Sequence, residues 1–455
     1  LNLSLYDTRS REVQEVTSTG SLVSMYCCGP TVYRDAHVGN LRTFLLADLI
    51  ARALKFSGKN VNLIQNITDV GHMSEDISGE DKMLAQAKVE STDPFAIARK
   101  YEEGFHKDLS RLNIIPAHLY PRASASIDLM IATIEELFEK EFAYLGNDGT
   151  VYFDARAFPG YGAISGNRLD ALKPGHRYEY SEENGKRFHA DWSLWKSAGT
   201  RTEMIWDSPW GPGFPGWHIE CTAMSLKLLD GHINVHVGGI DLRFPHHENE
   251  RAQSNAITGQ ESVDLWVHGE HLLFEGRKMS KSAGNVVLLE DLIEKGLDPL
   301  SLRFSLLENR YRSQMDLSWD SLTASHTTLR RWRKQLQTWG SSKDLLADEQ
   351  ISAALLTDLD TPRAMQRLRV VEKSTEITAH DKRAIFLYAD QVLGIDLDCV
   401  EEVEPISPAI EKLLEQRAIA RSEKDWQGSD RLRDELWSLG IVVTDSGQGQ
   451  SWSRA

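Results

Sequence analysis

Two cysteines and a histidine–glutamate cluster are the residues of this chain best suited to binding a soft metal. Cys28 and Cys221 lie in polar, glycine-containing surroundings, and Trp217-His218-Ile219-Glu220-Cys221 is followed 25 residues on by His246-His247-Glu248-Asn249-Glu250. If the latter opens a helix, His246 and Glu250 stand at i and i+4 on one face. One imidazole, one carboxylate and two thiolates make a plausible zinc set. His247, three residues from Glu250, is the alternative imidazole. Cys28 is remote in the chain, and the spacing is not that of paired CxxC motifs. Two packing cysteines beside a helix-capping His-His-Glu cluster would leave the same sequence.

A second group of residues suits a nucleoside triphosphate. In His37-Val38-Gly39-Asn40 a loop turns into a helix, where free N–H groups and the helix dipole favour phosphate. About 240 residues later, Lys278-Met279-Ser280-Lys281-Ser282 carries two lysines three apart, able to meet a leaving pyrophosphate as charge builds on it. Gly238-Gly239-Ile240-Asp241 follows a strand pattern. Its glycines allow a flat base or a backbone to approach, and Asp241 can accept hydrogen bonds from a ribose or an amino group.

The elements that must position these residues read as a split α/β domain. Leu22–Tyr26 is a short apolar strand, Asn40–Phe56 a largely buried helix ended by Gly58, and Val61–Ile67 the next strand. A crossover of this length makes a parallel βαβ unit, whose ligands sit at the carboxyl ends of the strands, where Cys28, His37 and Asn66 fall. Residues 118–205, with a helix over Ile127–Glu141 and a strand over Thr150–Phe153, read as an insertion. The strand pattern resumes at Ile233–Val237 and Leu265–His268. The expected domains are therefore 1–117 and 206–320 for the doubly wound, Rossmann-like catalytic part and 118–205 for the insertion. A helical bundle over 321–404 and a small α+β unit over 405–455 follow. Helices are expected over Leu322–Trp339, Asp360–Ile377, Asp381–Leu393, Pro408–Lys424 and Ser429–Leu439, with a strand at Ile441–Val443.

Composition narrows the class. The 455 residues, 41% hydrophobic and 26% charged, have ample length for a buried core and no apolar run long enough to span a membrane. Four cysteines argue against a disulfide scaffold and for a reducing compartment, and Leu1 to Asp7 lacks the pattern of a secretion signal, so a cytoplasmic setting is expected. A net charge of −16 weighs against a protein that coats nucleic acid, while leaving room for one RNA gripped by local patches such as Arg330, Arg331, Arg333 and Lys334. That patch reads equally well as a solvated helix face. Cys27, alternating with Cys28, is expected on the opposite strand face, in packing.

Taken in order, Cys28-Gly29-Pro30-Thr31-Val32-Tyr33, His37–Asn40, Asn66-Ile67-Thr68-Asp69, Gly216–Cys221, Gly238–Glu250 and Lys278–Ser282 resemble the motifs of cysteinyl-tRNA synthetases, a class I aminoacyl-tRNA synthetase family. The resemblance is strong over about residues 3 to 330 and looser beyond. It implies one zinc ion held by Cys28, Cys221, His246 and Glu250, which binds the thiolate of the substrate cysteine. It also implies ATP, with Mg2+, and tRNA(Cys) as the other reactants of a cytoplasmic, monomeric enzyme. His37, Gly39 and Asn40 would hold phosphate and ribose, and Lys278 and Lys281 the departing pyrophosphate. Cys28, Gly29, Thr31, Thr43, Asn66, Thr68, Trp217, Gly239 and Asp241 would line the adenylate pocket. Discrimination against serine by thiolate affinity explains why the family needs no editing site. Two positions depart from the family pattern: Asn40 replaces a histidine, and Asp69-Val70-Gly71-His72 replaces consecutive aspartates. The main rivals are a ligase joining cysteine to an amino sugar, which would lack the residues after Ser321, and a non-catalytic paralogue. In the tail, Trp452, Arg431 or Arg433 is a candidate RNA contact, and Trp452 is equally well placed to close a small core.

Overall fold

A computed structural model describes residues 2–71, 81–172, 185–279, 284–400, 407–446 and 449–454. The chain opens with a hairpin, β1 (Ser4–Asp7) and β2 (Glu12–Glu15). The expected βαβ unit follows as β3 (Leu22–Cys27), α1 (Val38–Phe56) and β4 (Asn60–Gln65), with β3 and β4 parallel from Leu22↔Asn60 to Cys27↔Gln65. Helix α1 starts two residues before the expected Asn40 because His37 is its N-cap. His37 Nδ1 accepts from Asn40 N at 3.2 Å, and Asn40 Oδ1 accepts from His37 N at 3.2 Å, a reciprocal cap. The few charges on α1 match its burial through Leu41, Phe44, Leu45, Ile50 and Leu54. Helices α2 (Lys82–Glu90) and α3 (Pro94–Arg111) come next, each capped by an aspartate, Asp81 and Asp93.

The insertion is helix α4 (Ile127–Glu139) against an antiparallel sheet of β5 (Ala143–Leu145), β6 (Val151–Phe153), β7 (Trp192–Ser197) and β8 (Gly213–Pro215). This sheet continues past residue 205, the expected boundary. Strand β8 has only three residues, two of them Gly and Pro, so no period-two pattern announces it. Gly213 is required there, since a Cβ would lie 2.2 Å from the carbonyl oxygen of Lys196 on β7.

Helix α5 (Trp217–Leu228), β9 (Ile233–Gly239), α6 (Glu248–Thr258) and β10 (Val263–Gly269) complete the parallel sheet in the order β10-β9-β3-β4. Alternation along β3 sends Val23, Met25 and Cys27 into one core and Tyr26 and Cys28 into the other, as the packing reading of Cys27 required. A second small sheet joins β11 (Leu272–Phe274), β12 (Arg277–Lys278) and, after α7 (Leu289–Glu294) and α8 (Leu300–Leu307), β13 (Met315–Leu317).

Helices α9 (Trp319–Thr338), α10 (Glu349–Leu356), α11 (Thr361–Lys373) and α12 (Ala379–Leu393) belong to the same compact unit as the sheet, which runs to Asp398. The basic patch on α9 is in large part structural. Arg333 is buried and donates to the carbonyls of Ile395 and Asp396 and to Asp298, and Arg331 donates to Glu372 at 2.6 Å.

The second unit, Cys399–Ala455, contains α13 (Pro408–Ser422), α14 (Trp426–Ser438), β14 (Ile441–Ser446) and β15 (Gly449–Arg454). Trp452 packs against its small core of Leu414, Leu436 and Ile441, so the core reading of this tryptophan holds. Among the described residues no helix is long and apolar enough to cross a membrane.

Candidate metal and nucleotide site

The loop after β3 and the starts of α5 and α6 bring the predicted donors together. Sγ of Cys28 and Cys221, a ring nitrogen of His246 and a carboxylate oxygen of Glu250 all lie within 4.8 Å of one another, and all four residues are buried. Cys28 Sγ is 3.4 Å from Glu250 Oε1, and His246 Nε2 is 2.9 Å from the same oxygen. Donors bound tetrahedrally at 2.0–2.3 Å are separated by roughly 3–4 Å, so these spacings suit one small cation. His246 and Glu250 do share a face, although α6 itself begins only at Glu248.

Polar atoms in the cluster are left over in a way a metal would resolve. Glu250 Oε2 makes no hydrogen bond among the described residues, and His246 Nε2 faces another donor of the set, Glu250 Oε1. Burial pushes the Glu250 carboxyl and the Cys28 thiol well above their ordinary pKa values, whereas a hydrogen bond from Cys28 holds the Cys221 thiol down. The helix-capping alternative fails, because His247 occupies the N-cap of α6 without any side-chain cap bond. Glu248 plays another part and accepts from the backbone N–H groups of Gly162, Ile164 and Ser165, tying the insertion to α6.

A second tier of histidines lies behind Cys28, made of His247, the alternative imidazole of the sequence reading, with His236 and His268, which that reading did not single out. His236 Nε2 and His247 Nε2 are 3.4 and 3.3 Å from Cys28 Sγ, and with Cys28 and Glu250 they form an overlapping four-donor set. From there a row of contacts runs His247 Nδ1 to His268 Nε2 at 2.8 Å and His268 Nδ1 to Thr8 Oγ1 at 2.8 Å. Burial lowers all three imidazoles, His268 to about 3, so they are neutral. The only sequence signal for His236 and His268 is one imidazole in an apolar strand. On the other side, His218 Nδ1 is 3.0 Å from His246 Nδ1, and the Trp217 ring lies 4.2 Å from that of His246.

Beside the cluster opens a cavity of about 280 Å³, lined by Cys28, Gly29, Thr31, Gly39, Asn40, Thr43, Trp217, Gly239 and Asp241 among others. Nine predicted pocket residues therefore share one wall. Asn66 and Thr68 stand behind it: Asn66 Oδ1 accepts from Gly29 N at 2.8 Å, Asn66 Nδ2 donates to Thr68 Oγ1 at 3.1 Å, and Thr68 Oγ1 donates to Glu220 at 3.2 Å. They support the wall without lining it. His37 lies against Gly39, and burial, then the charge of Arg34, lowers its pKa to about 4. Because Nδ1 accepts from Asn40 N, the proton of the neutral ring is on Nε2. Lys278 is exposed at the end of β12, and Lys281 lies outside the described residues. The sequence reading missed Arg34 and Lys82, which line the cavity with their charges 5.2 and 5.9 Å from the Tyr33 ring.

The chain resembles known proteins over its whole length. Residues 14–327 match the catalytic domain of class I tRNA synthetases of the cysteine type, and residues 404–452 match the cysteinyl-tRNA ligase anticodon-binding domain. The chain is 39% identical to a cysteine–tRNA ligase of Thermus thermophilus, covering 99% of both chains. It is 41% identical to cysteine–tRNA ligase 1 of Burkholderia lata, covering 98% of this chain and 96% of the other. In fold it resembles the methionyl-tRNA synthetase of Mycobacterium tuberculosis, with a TM-score of 0.55 at 14% identity over 88% of this chain and 94% of that one. It also resembles the agnB2 LeuRS of Agrobacterium radiobacter K84, with a TM-score of 0.57 at 10% identity over 83% and 84%. Matched by a family catalytic domain over most of its length, and by full-length relatives at 39 and 41% identity, the chain belongs to the cysteine–tRNA ligase family of class I synthetases.

Proposed function

We propose that this chain activates L-cysteine with ATP and Mg2+ and transfers it to tRNA(Cys) in the cytoplasm, working as a monomer with one zinc ion on Cys28, Cys221, His246 and Glu250. The observation that carries the proposal is that the four buried donors open, through Cys28, onto the same cavity as the N-terminus of α1. Of the two donor sets, the one with two thiols is the softer. His247, by contrast, is already engaged with His268. Bound there, zinc would supply a Lewis acid that prefers a thiolate to a hydroxyl, hence cysteine to serine.

The chain's own residues have positioning and electrostatic roles. A carboxylate oxygen of cysteine attacks the α-phosphorus of ATP, the bond to the bridging oxygen breaks, and pyrophosphate leaves. The N–H groups at the start of α1 and the Nε2–H of neutral His37 donate to phosphate oxygens, with Lys278 and Lys281 stabilising the leaving group. Asp241 accepts from the adenosine, and Gly239 lets it approach close to Thr43, where a Cβ would come within 3.3 Å of the hydroxyl. In the second step a ribose hydroxyl of the terminal adenosine attacks the acyl carbon, and AMP leaves with the electron pair of the broken C–O bond, its phosphate taking up the hydroxyl proton. No side chain becomes acylated, so fixed geometry carries the rate.

Charging of total tRNA with labelled cysteine in the presence of excess serine tests the proposal. Base-labile cysteinyl-tRNA that serine does not suppress is the expected product. Cysteine-dependent pyrophosphate exchange without charging would send the adenylate to a small-molecule acceptor instead.

A further inference from the structure

We infer that a positively charged cavity adjoining the adenylate cavity binds a backbone phosphate of the acceptor strand of the tRNA; this rests on the charging function proposed above. The cavity encloses about 260 Å³, and its lining includes three guanidiniums, Arg11, Arg243 and Arg312, against one carboxylate, Glu270. In a chain with a net charge of −16, three arginines around one small cavity run against the average.

Separate segments deliver the three charges. Arg11 stands in the turn between β1 and β2 with φ 63°, and its guanidinium rests on Gly166 of the insertion, where a Cβ would come 2.9 Å from Nη2. Arg243 ends the short turn after β9. Arg312 is anchored, donating to Asp358 at 2.8 and 2.5 Å and lying 4.4 Å over the Tyr6 ring. Arg11 and Arg243 are exposed, and neither makes an ion pair with a described residue. Two uncompensated forks beside a fixed one match the oxygens of a phosphate diester.

Position identifies the phosphate. Ile240 and Arg243 line this cavity, whereas Gly239, Asp241 and Leu242 line the adenylate cavity, so a single turn is the wall between them. Consecutive Cα atoms lie about 3.8 Å apart. A strand whose terminal adenosine reaches the adenylate therefore has its preceding phosphates within reach of Arg243. The phosphates of ATP have their own partner in the N-terminus of α1, inside the other cavity.

Arg11→Gln and Arg243→Gln in the full-length, zinc-loaded protein test the assignment with two readouts, cysteine-dependent ATP–pyrophosphate exchange without tRNA and tRNA charging at increasing KCl. Exchange should stay within about twofold of the parent. The kcat/KM for tRNA should fall about fivefold to tenfold per arginine through KM, and the slope of log kcat/KM against log salt should flatten by about 0.7 for each lost contact. Arg243→Lys, which keeps the charge, should retain that slope. Charging and slope unchanged in both glutamine variants would overturn the inference, as would a lysine variant as impaired as glutamine, which marks a structural role. A raised KM for ATP in exchange would also overturn it, by assigning the cavity to nucleotide phosphates. A parent protein without cysteine-dependent exchange would defeat the ligase proposal itself, a result separate from these.

Discussion

Gly29→Ala should disable the site while leaving the fold in place. Gly29 follows Cys28 at the end of β3, and its N–H donates to Asn66 Oδ1 at 2.8 Å. A Cβ on Gly29 would fall 1.5 Å from the carbonyl oxygen of Asn66 and 2.7 Å from its carbon. Both are backbone atoms, so no rotamer change relieves the contact. Side chains keep Cβ contacts beyond 3.0 Å, so the ends of β3 and β4 must part by about 1.5 Å. That shift breaks the Gly29–Asn66 hydrogen bond, at a cost of ~1–3 kcal/mol. It also moves Cys28 relative to His246 and Glu250. A displacement of about 1 Å around reacting groups costs on the order of 10²-fold in rate. Cysteine-dependent pyrophosphate exchange should therefore fall by about 100-fold or more and zinc content below one per chain, with melting lowered by no more than roughly 5 °C. Gly39→Ala is the comparison. Its Cβ would meet only the side-chain ends of Met279 at 2.9 Å and His37 at 3.0 Å, which can yield, so exchange should drop less than about tenfold. A Gly29→Ala protein with full zinc and exchange within about fivefold of the parent would refute the claim that the close approach of β3 and β4 sets the site geometry.

Protein purified without chelator should carry about one zinc per chain, and Cys221→Ser should weaken cysteine binding far more than ATP binding; metal-free protein, or equal weakening of both substrates, would contradict the donor assignment. His37, with its pKa lowered to about 4 by burial, binds a proton more readily unfolded than folded between there and its ordinary 6.5. Its contribution to stability is complete above about pH 6.5 and is lost as pH falls through about 4, at up to about 1.4 kcal/mol per pH unit. His37→Gln should flatten that part of the slope in urea titrations, and an unchanged slope would show that the imidazole is not held neutral. Arg303 is buried, pairs with Asp48 at 2.6 Å and donates to the carbonyls of Leu393 and Leu112 at 2.6 and 3.1 Å. Arg303→Met should lower unfolding free energy by about 3 kcal/mol, read as a shifted urea midpoint, and a midpoint within error of the parent would exclude a structural role for the pair.

Much of the catalytic half was legible because its chemistry depends on local patterns. The βαβ unit follows from an apolar strand, a charge-poor helix and an alternating strand, and the pairing of Leu22–Cys27 with Asn60–Gln65 is what those patterns require. His246 and Glu250 were readable as neighbours because four residues of helix separate them. The misses share a cause: the decisive partner is distant in the chain. His236 and His268 look like isolated polar residues in apolar strands until parallel pairing and the turn before α6 stack them with His247. Strand β8 is too short to show a period. The arginines of α9 read as a surface patch, whereas Arg333 turns inward to the loop that follows α12, a contact no helical periodicity reveals.

The same distance dependence decides between the two readings the donor residues allowed. As packing cysteines beside a capping cluster, Cys28, Cys221, His246 and Glu250 would need their polar atoms satisfied by the protein. The helix start they would cap receives no side-chain bond, and a carboxylate oxygen of Glu250 remains buried without a hydrogen bond among the described residues. Each such atom costs about 1–3 kcal/mol. The surrounding histidines do not compensate, since burial keeps His236, His247 and His268 neutral and unable to balance a carboxylate or a thiolate. A soft divalent cation at the centre of the four donors would offset the deficit by stabilising the deprotonated thiols and carboxylate that burial otherwise disfavours. The donor chemistry therefore fits a metal better than packing, and Cys28 places that cluster on the wall of the neighbouring cavity.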